Sequence, residues 1–299
     1  MPKQQKFLCV GAPKCATTTL YEILKQHPQV GVSSYKEPNF FSLDSNYTKG
    51  MEWYSKTYFS HLAGKIAVGE ITPIYFYHPQ VPARVRSCLG SEVKFIVMVR
   101  DPVERAFSQY QHNVRDNLEH ERFERALFLE QARLNEYRLP ERTALHTRFA
   151  YRGMSSYAAC LGRYLEFFPL ESFFFIVLEM DFFSRRAETV CSLLRFLGVD
   201  DQIVLNVDIH ENPASQPRLR GIKQIIYGRN WLRSMARMTV PAVYLRQAIK
   251  RRINRLTNIR SEKPVLSPDL KCNLRERFFA AEILQFEQMI DRSLEVWRS

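Results

Sequence analysis

Residues 7–20 read FLCVGAPKCATTTL, and this stretch indicates how the chain begins to fold. The apolar run Phe7–Val10 predicts a buried strand that ends at Gly11, and a helical pattern follows it. Between strand and helix lie Lys14 and three consecutive threonines, Thr17–Thr19. A strand, a tight loop and a helix N-terminus form a geometry that binds phosphate, because backbone N–H groups and the helix dipole both favour an anion there.

The loop differs from the Walker loop of nucleoside triphosphatases, whose pattern is Gly-x-x-x-x-Gly-Lys-Ser/Thr. Here Lys14 comes three residues after Gly11, and Thr17 comes three residues after Lys14. The shorter loop predicts a cradle for one phosphate rather than for a triphosphate with its magnesium. The alternative interpretation is a strand–loop–helix junction with an incidental lysine.

Strands and helices alternate along the chain, which predicts an α/β fold with a P-loop-like parallel sheet flanked by helices. The clearest strand is Lys94–Val99, because an unbroken apolar run is typical of a buried parallel strand. The other predicted strands are Phe7–Val10, Gln29–Val32, Ala67–Glu70 and Phe173–Leu178. The predicted helices are Thr18–Gln26, Lys49–Phe59, Gln80–Cys88, Pro102–Asn113, Phe123–Tyr137, Ser155–Phe168, Arg186–Leu197 and a long closing helix, Leu270–Leu294.

The composition favours a soluble globular chain with a sizeable core, since 45% of its 299 residues are hydrophobic and 25% are charged. No apolar run approaches the ~20 residues that span a membrane, and the apolar run near the N-terminus is too short for a signal peptide. The six cysteines are scattered and show no metal-ligand spacing. The sequence therefore predicts free thiols, a cytoplasmic location and no metal site.

The net charge of +12 is concentrated in the segment 211–263, which has 13 Lys or Arg residues against 2 Asp or Glu residues. We predict that this segment is helical, with a break at Pro241. It could attract anionic ligands, membrane surfaces or nucleic acid, and a solvated helix face would look the same. No nucleic-acid recognition motif accompanies the charge, so nucleic acid is not a predicted partner.

A second basic cluster follows the strand Lys94–Val99. Arg100 stands at the carboxyl end of that strand, where ligands bind in open α/β sheets. Ser108 lies about two turns into the next helix and could share an anion with Arg100, whose guanidinium suits forked phosphate contacts. The alternative is that Arg100 forms a local structural ion pair with Asp101.

Taken together, the pattern Gly-Ala-Pro-Lys-x-x-Thr-Thr-Thr from Gly11 and the pattern Val-Arg-Asp-Pro-x-x-Arg-x-x-Ser from Val99 resemble the PAPS-dependent sulfotransferases. PAPS is 3′-phosphoadenosine 5′-phosphosulfate. The resemblance implies that the first motif binds the 5′-phosphosulfate and the second binds the 3′-phosphate. The residues implied at the 5′ end are Lys14, Cys15, Ala16, Thr17, Thr18 and Thr19, and those at the 3′ end are Arg100 and Ser108.

Further motifs resemble the heparan-sulfate branch of this family and its soluble bacterial relatives. They are Lys36–Phe41, Gly69–Phe76 and Tyr110–His112, the last being similar to the N-sulfotransferases. The 3-O-sulfating enzymes of that branch carry a histidine where this chain has Asn39 and a lysine where it has Ile71. Because that lysine faces an acidic sugar in the family, its absence argues against a heparan-like acceptor.

The resemblance implies in-line transfer of a sulfuryl group from PAPS to a hydroxyl or amine of a small molecule or carbohydrate, without a metal. As in phosphoryl transfer, the protein positions the reactants and stabilises charge. Lys14 is implied to stabilise the bridging oxygen as the bond breaks. Glu37 is the family-matched general base, and burial beside Phe40 and Phe41 is expected to strengthen it. His112 is the second candidate, as a base or as a partner of the sulfuryl group.

Structural interpretations remain open for both candidate bases: Glu37 could form a salt bridge with Lys36, and His112 could lie on a helix surface. Two other functions are alternatives on the sequence alone: a small-molecule P-loop kinase, and a non-catalytic module that binds anions or membrane surfaces through residues 211–263.

We predict one domain, residues 1–299, with a donor-binding core at 5–200, a basic lid or substrate segment at 211–263 and a closing helix at 264–299. Arg218 and Arg220 are the lid residues expected nearest the donor. A homodimer is possible on the sequence alone.

Overall fold

The computed structural model describes residues 4–136, 147–209, 215–217, 258–260 and 264–298. Its centre is a parallel five-stranded sheet with the strand order β2-β3-β1-β4-β5. The strands are β1 (Gln5–Gly11), β2 (Val30–Val32), β3 (Ala67–Ile71), β4 (Lys94–Val99) and β5 (Phe173–Val177). The predicted α/β fold with a parallel sheet is thereby confirmed.

Helices flank this sheet, and the helices predicted before residue 200 are present with small shifts at their ends. The helices of this part of the chain are α1 (Thr17–Leu24), α2 (Asp44–Tyr47), α3 (Gly50–Tyr58), α4 (Val81–Leu89), α5 (Pro102–Arg115), α6 (Phe123–Glu136), α7 (Tyr157–Leu165) and α8 (Arg186–Leu197). The short helix α2 was not predicted. The C-terminal helices are α9 (Pro268–Phe278) and α10 (Ala280–Ile290). None of the helices in the described part of the chain is long and apolar enough to cross a membrane.

The two central strands, β1 and β4, carry the core. In β4 the residues from Phe95 to Val99 are fully buried, which is why this run shows no polar alternation. Gly69 is required where β3 approaches β1, because a Cβ there would lie 2.0 Å from the carbonyl oxygen of Phe7. Gly11 meets a similar constraint at the end of β1, where a Cβ would lie 2.4 Å from Cβ of Phe76.

The predicted single closing helix, Leu270–Leu294, is wrong. The chain leaves the helical conformation at Phe279 (φ −131°, ψ −7°), whose side chain is buried. The break allows the two halves to contact different helices. Arg275 of α9 pairs with Asp101 at the start of α5, whereas Glu282 of α10 accepts a hydrogen bond from the backbone N–H of Ala158 in α7.

The basic segment 211–263 is described only at Ser215–Pro217 and Asn258–Arg260, which pair as antiparallel strands β6 and β7. The prediction of a helical segment is wrong for these residues, and Pro217 lacks the N–H group that a helix interior needs. The rest of that prediction, including Arg218 and Arg220, lies outside the described residues.

The carboxyl ends of the three middle strands meet at one edge of the sheet. After β1, the N–H of Ala12 donates to the carbonyl of Met98 in β4 at 2.6 Å. After β3, the N–H of Thr72 donates to the carbonyl of Cys9 in β1 at 3.0 Å. This edge therefore brings together loops that are far apart in the chain.

Candidate functional site

The loop after β1 has an unusual backbone. Lys14 (φ 71°) and Ala16 (φ 54°) both adopt the left-handed conformation, which L-residues other than glycine rarely take. Such positions cost about 1–3 kcal/mol each and cluster at sites that clamp ligands. Positive φ therefore alternates with negative φ from Lys14 through Cys15 to Ala16. Such alternation turns successive N–H groups toward one side and creates a concavity suited to an anion.

Helix α1 begins at Thr17 without a side-chain cap, since Ala16 occupies the N-cap position. The first amides of a helix have no intrahelical acceptor. Within the described ranges, no backbone carbonyl outside α1 accepts a hydrogen bond from the amides of residues 14–19. Thr17 and Thr19 are buried and Thr18 is partly exposed. The N-terminus of α1 thus retains donors for an anion.

Cys15 can contribute only its backbone to such a site. Its side chain is fully buried, and its Sγ donates to the carbonyl of Pro13 at 3.8 Å. Burial raises the pKa of this thiol to about 12, so the sulfur carries no charge near neutral pH.

Lys14 and His112 are brought together from distant parts of the chain. Nζ of Lys14 lies 3.1 Å from Nδ1 of His112, which is on α5. Burial, together with the positive charges of Arg115 and Arg148, lowers the pKa of Lys14 to about 8. Its ammonium form still predominates at neutral pH, and a bound anion would stabilise that form further.

Arg100 follows β4 at the same edge of the sheet. Its Nη2 donates to Oε2 of Glu104 at 3.2 Å, while its buried Nε has no hydrogen-bond partner among the described residues. Asp101 is not its ion-pair partner but pairs with Lys271 and Arg275 of α9. Among the described residues, the Arg100 side chain therefore pairs with Glu104 alone, and its Nε–H remains a donor without an acceptor.

Ser108, the second residue predicted for this cluster, lies in the middle of α5 and is partly buried. The helix is fixed at its start by Asp101, whose Oδ1 accepts hydrogen bonds from the N–H groups of Val103 and Glu104. Capping of this kind settles where α5 begins relative to β4.

Glu37 lies on an exposed turn beside β3, so its predicted burial is wrong. Its side chain is 49% exposed and pairs with Nζ of Lys36 at 2.5 Å. Glu37 and Asn39 both have positive φ, and this turn directs Phe40 into the core while it leaves the carboxylate outside. The backbone N–H of Glu37 donates to the carbonyl of Ile71 at 3.1 Å, which holds the turn at the carboxyl end of β3.

The buried carboxylate of Glu70 holds this turn in place through a tyrosine hydroxyl. Glu70 accepts hydrogen bonds from Tyr54 (2.6 Å), Thr72 (2.6 Å) and Tyr75 (3.0 Å), and the Tyr75 hydroxyl accepts one from the N–H of Phe41. Burial raises the pKa of Glu70 to about 7, although these hydrogen bonds oppose the shift. The sequence singles out Glu70 only as part of a motif, since its tyrosine partners come from two other elements.

Three charged residues near Lys14 were missed by the sequence analysis: Arg115, Asp116 and Arg148. Asp116 accepts from Arg148 at 2.6 Å and lies 3.4 Å from Nε2 of His112. The i,i+4 spacing from His112 could have indicated Asp116. No local pattern indicates Arg148, which is 32 positions further along the chain.

No cluster of His, Cys, Asp or Glu that could hold a metal ion is found in the residues that the structure describes.

Comparison with known proteins identifies the family. A family model described as a sulfotransferase domain matches residues 4–214. The chain belongs to the sulfotransferase family. The family predicted from the two motifs is thereby confirmed.

Among curated sulfotransferases, the chain is 33% identical over 172 residues to heparan sulfate glucosamine 3-O-sulfotransferase 5 of Mus musculus, a match that covers 56% of this chain and 46% of that protein. It is 36% identical over 122 residues to the membrane-associated sulfotransferase kil1 of Dictyostelium discoideum, with 38% of this chain and 25% of that protein covered. The chain thus spans less than half the length of these relatives.

A solved sulfotransferase structure agrees with the fold over nearly the whole chain. The sulfotransferase from Alicyclobacillus acidocaldarius has a TM-score of 0.69 at 26% identity, and the match covers 99% of this chain and 100% of that one. The similarity to this enzyme agrees with the predicted likeness to bacterial members of the family.

Proposed function

We propose that this chain transfers a sulfuryl group from PAPS to a hydroxyl or amine of a small-molecule or carbohydrate acceptor. The observation that carries the proposal is the pairing of two anion-binding features at one edge of the sheet. One is the Lys14 loop with the uncapped N-terminus of α1, and the other is Arg100, whose Nε has no hydrogen-bond partner in the described part of the chain. The family match does not favour the alternatives of a P-loop kinase or a non-catalytic anion-binding module.

PAPS fits this arrangement because it carries anionic groups at two separated positions. The amides of residues 14–19 and the Lys14 ammonium would hold the 5′-phosphosulfate. Arg100 would hold the 3′-phosphate, since no described residue accepts a hydrogen bond from its Nε and its guanidinium can form forked contacts. Ser108 would add a hydroxyl from α5. The predicted lid residues Arg218 and Arg220 remain part of the proposal.

The chain's own contribution to the reaction is positioning and charge stabilisation. Lys14 would neutralise the charge that develops on the bridging oxygen as the bond to sulfur breaks. Burial and neighbouring arginines already make its ammonium more acidic than that of an ordinary lysine. The site therefore contains an ammonium whose charged form is destabilised before the reaction, and an anion that forms beside it would stabilise that charge.

Glu37 is the better candidate for the general base. It is exposed, and its turn is fixed to the end of β3 through Ile71. His112 is the weaker candidate because its Nδ1 already faces Lys14 at 3.1 Å. An incoming acceptor would draw the Glu37 carboxylate away from Lys36 and donate its proton to it.

A transfer assay tests the proposal directly. Radiolabelled PAPS is incubated with panels of sugars, amino sugars and small natural products, and label in the acceptor is measured. We expect transfer to at least one class, and a fall of at least ~100-fold in Lys14→Ala, the scale for loss of a charge stabiliser. Calorimetry with the product 3′-phosphoadenosine 5′-phosphate should show weaker binding to Arg100→Ala than to the unaltered protein. Equal affinity of the two proteins, or no binding to either, would contradict the donor assignment.

A cytoplasmic location and a homodimer remain predictions from the sequence. Fractionation of cells that produce the protein would check the first, and light scattering of the purified protein would check the second.

A further inference from the structure

A continuous chain of polar contacts leads away from Lys14. Nζ of Lys14 lies 3.1 Å from Nδ1 of His112, and Nε2 of the same ring lies 3.4 Å from Oδ2 of Asp116. That carboxylate accepts a hydrogen bond from Nη2 of Arg148 at 2.6 Å, and its other oxygen is 3.6 Å from Nε of Arg115. The four contacts join the donor loop, the C-terminal part of α5 and the segment at 147–149.

The chemistry of the ring decides how protons are distributed along this chain of contacts. An ammonium has only donors and a carboxylate has only acceptors. A neutral imidazole satisfies both neighbours in one tautomer alone, with its proton on Nε2 toward Asp116 and its lone pair on Nδ1 toward Lys14. A doubly protonated ring would place two donors against each other at the Lys14 contact.

On the basis of the proposed sulfuryl transfer, we propose that Asp116 is a positioning residue that acts on Lys14 through His112. Its carboxylate fixes the Nε2–H tautomer, and Nδ1 of His112 then accepts one N–H of the Lys14 ammonium. The other two N–H groups of that ammonium remain available to the donor. Arg148 and Arg115 hold the Asp116 carboxylate in place.

This arrangement assigns His112 a role other than general base. The one lone pair of the neutral ring, on Nδ1, accepts a hydrogen bond from Lys14. If the ring took a proton from the molecule to be sulfated, that contact would break. Asp116 also offsets the charges of Arg105, Arg115 and Arg148, each of which lowers the pKa of Lys14. One carboxylate thus both orients the lysine and keeps it protonated.

The tautomer of His112 is measured first, by NMR on protein with isotope-labelled imidazole nitrogens and without PAPS. We expect the Nε2–H form in the unaltered protein and a loss of that preference in Asp116→Asn. The control is Asp201→Asn, which breaks a carboxylate pair with Arg195 on α8. A proton on Nδ1 in the unaltered protein overturns the inference without the need for any variant.

Kinetics test the link to Lys14. We expect Asp116→Asn to lower kcat about 10-fold to 100-fold, by analogy with the loss seen when a metal-ligating histidine loses the carboxylate that orients it. Because Asp116 raises the pKa of Lys14, its removal should move the alkaline limb of the kcat profile to lower pH. Lys14→Arg should abolish that limb, since arginine stays protonated.

A double-mutant cycle separates this role from a general effect on stability. His112→Asn can place its amide oxygen near the position of Nδ1, where it accepts from Lys14, but has no group at the position of Nε2, so it breaks the path to Asp116. Asp116→Asn should therefore cost little more in the His112→Asn background. If the fold-loss in kcat of the double variant equals the product of the fold-losses of the two single variants, the inference is wrong. If no acceptor is ever sulfated but the tautomer depends on Asp116, the proposed reaction fails while the positioning of His112 stands.

Discussion

At the scale of single residues, we expect Glu37→Gln to lower kcat by about 100-fold, within the range for loss of a general base, because an amide cannot take the proton of the sulfuryl acceptor. Donor binding should be intact, since the Glu37 side chain contacts Lys36 and not the donor loop. The measurements are sulfuryl transfer and calorimetry with 3′-phosphoadenosine 5′-phosphate. Glu52→Gln, at an exposed position on α3, is the control. Turnover near that of the control would remove Glu37 from the mechanism.

The donor loop and Arg100 could be predicted from the sequence because the spacing of residues along one strand–loop–helix unit is local information. The exposure of Glu37 could not, because it depends on positive φ at Glu37 and Asn39, which no sequence rule for Glu or Asn requires. The contact between Lys14 and His112 could not be predicted either, since 98 positions separate the two residues.

At the scale of elements, the junction of β4 and α5 is fixed by residues from the C-terminal helices. Asp101 caps α5 with one carboxylate oxygen and pairs with Arg275 of α9 through the other at 2.9 Å. The sequence indicated α5 and its start at Pro102 but not the pair between Asp101 and Arg275. Asp101 and Arg275 are 174 positions apart, and the break at Phe279 that lets α9 and α10 diverge has no glycine or proline to mark it.

Arg275→Met should destabilise the protein by about 3 kcal/mol, because removal of one partner leaves the Asp101 carboxylate buried without its main counter-charge. The remaining contact with Lys271 at 3.3 Å keeps the loss at the lower end of the range for such pairs. Urea unfolding measures the free energy. Arg277→Met, on the exposed side of the same helix, is the matched control. A loss equal to that of the control would mean that the pair does not stabilise the junction.

At the scale of the whole molecule, the parallel sheet explains why distant motifs could be assigned to one site. The carboxyl ends of β1, β3 and β4 lie at a common edge, so the segments that follow them converge. This rule predicts where the loops lie but not the positions of their side chains. The roles of the residues at 211–263 stay predictions, because most of that segment lies outside the described residues.

The stability of the molecule should depend on pH through Glu70. Its pKa is raised from 4.5 to about 7 in the folded state, so the folded protein binds more protons than the unfolded chain between these values. Stability contributed by this group is therefore present below pH 4.5 and is lost as pH rises to about 7, by about 3 kcal/mol in all.

Urea unfolding at pH 5 and pH 8 would measure this loss. Glu70→Gln keeps acceptors for the tyrosine hydroxyls but cannot ionise, so the difference between the two pH values should shrink in that variant. An unchanged difference would assign the pH dependence to other groups.

The contacts that hold Asp101 also limit where the protein can be truncated or fused to another sequence. The family match ends at residue 214, yet Arg275 pairs with Asp101, and Trp297 donates to Glu179, which in turn accepts from the backbone N–H of Asp101. A fragment trimmed to the matched region would lose these supports of Asp101, the residue next to Arg100. We therefore expect the smallest stable version of this protein to extend at least to Trp297, so a reporter or tag should be attached beyond Trp297 through a flexible linker.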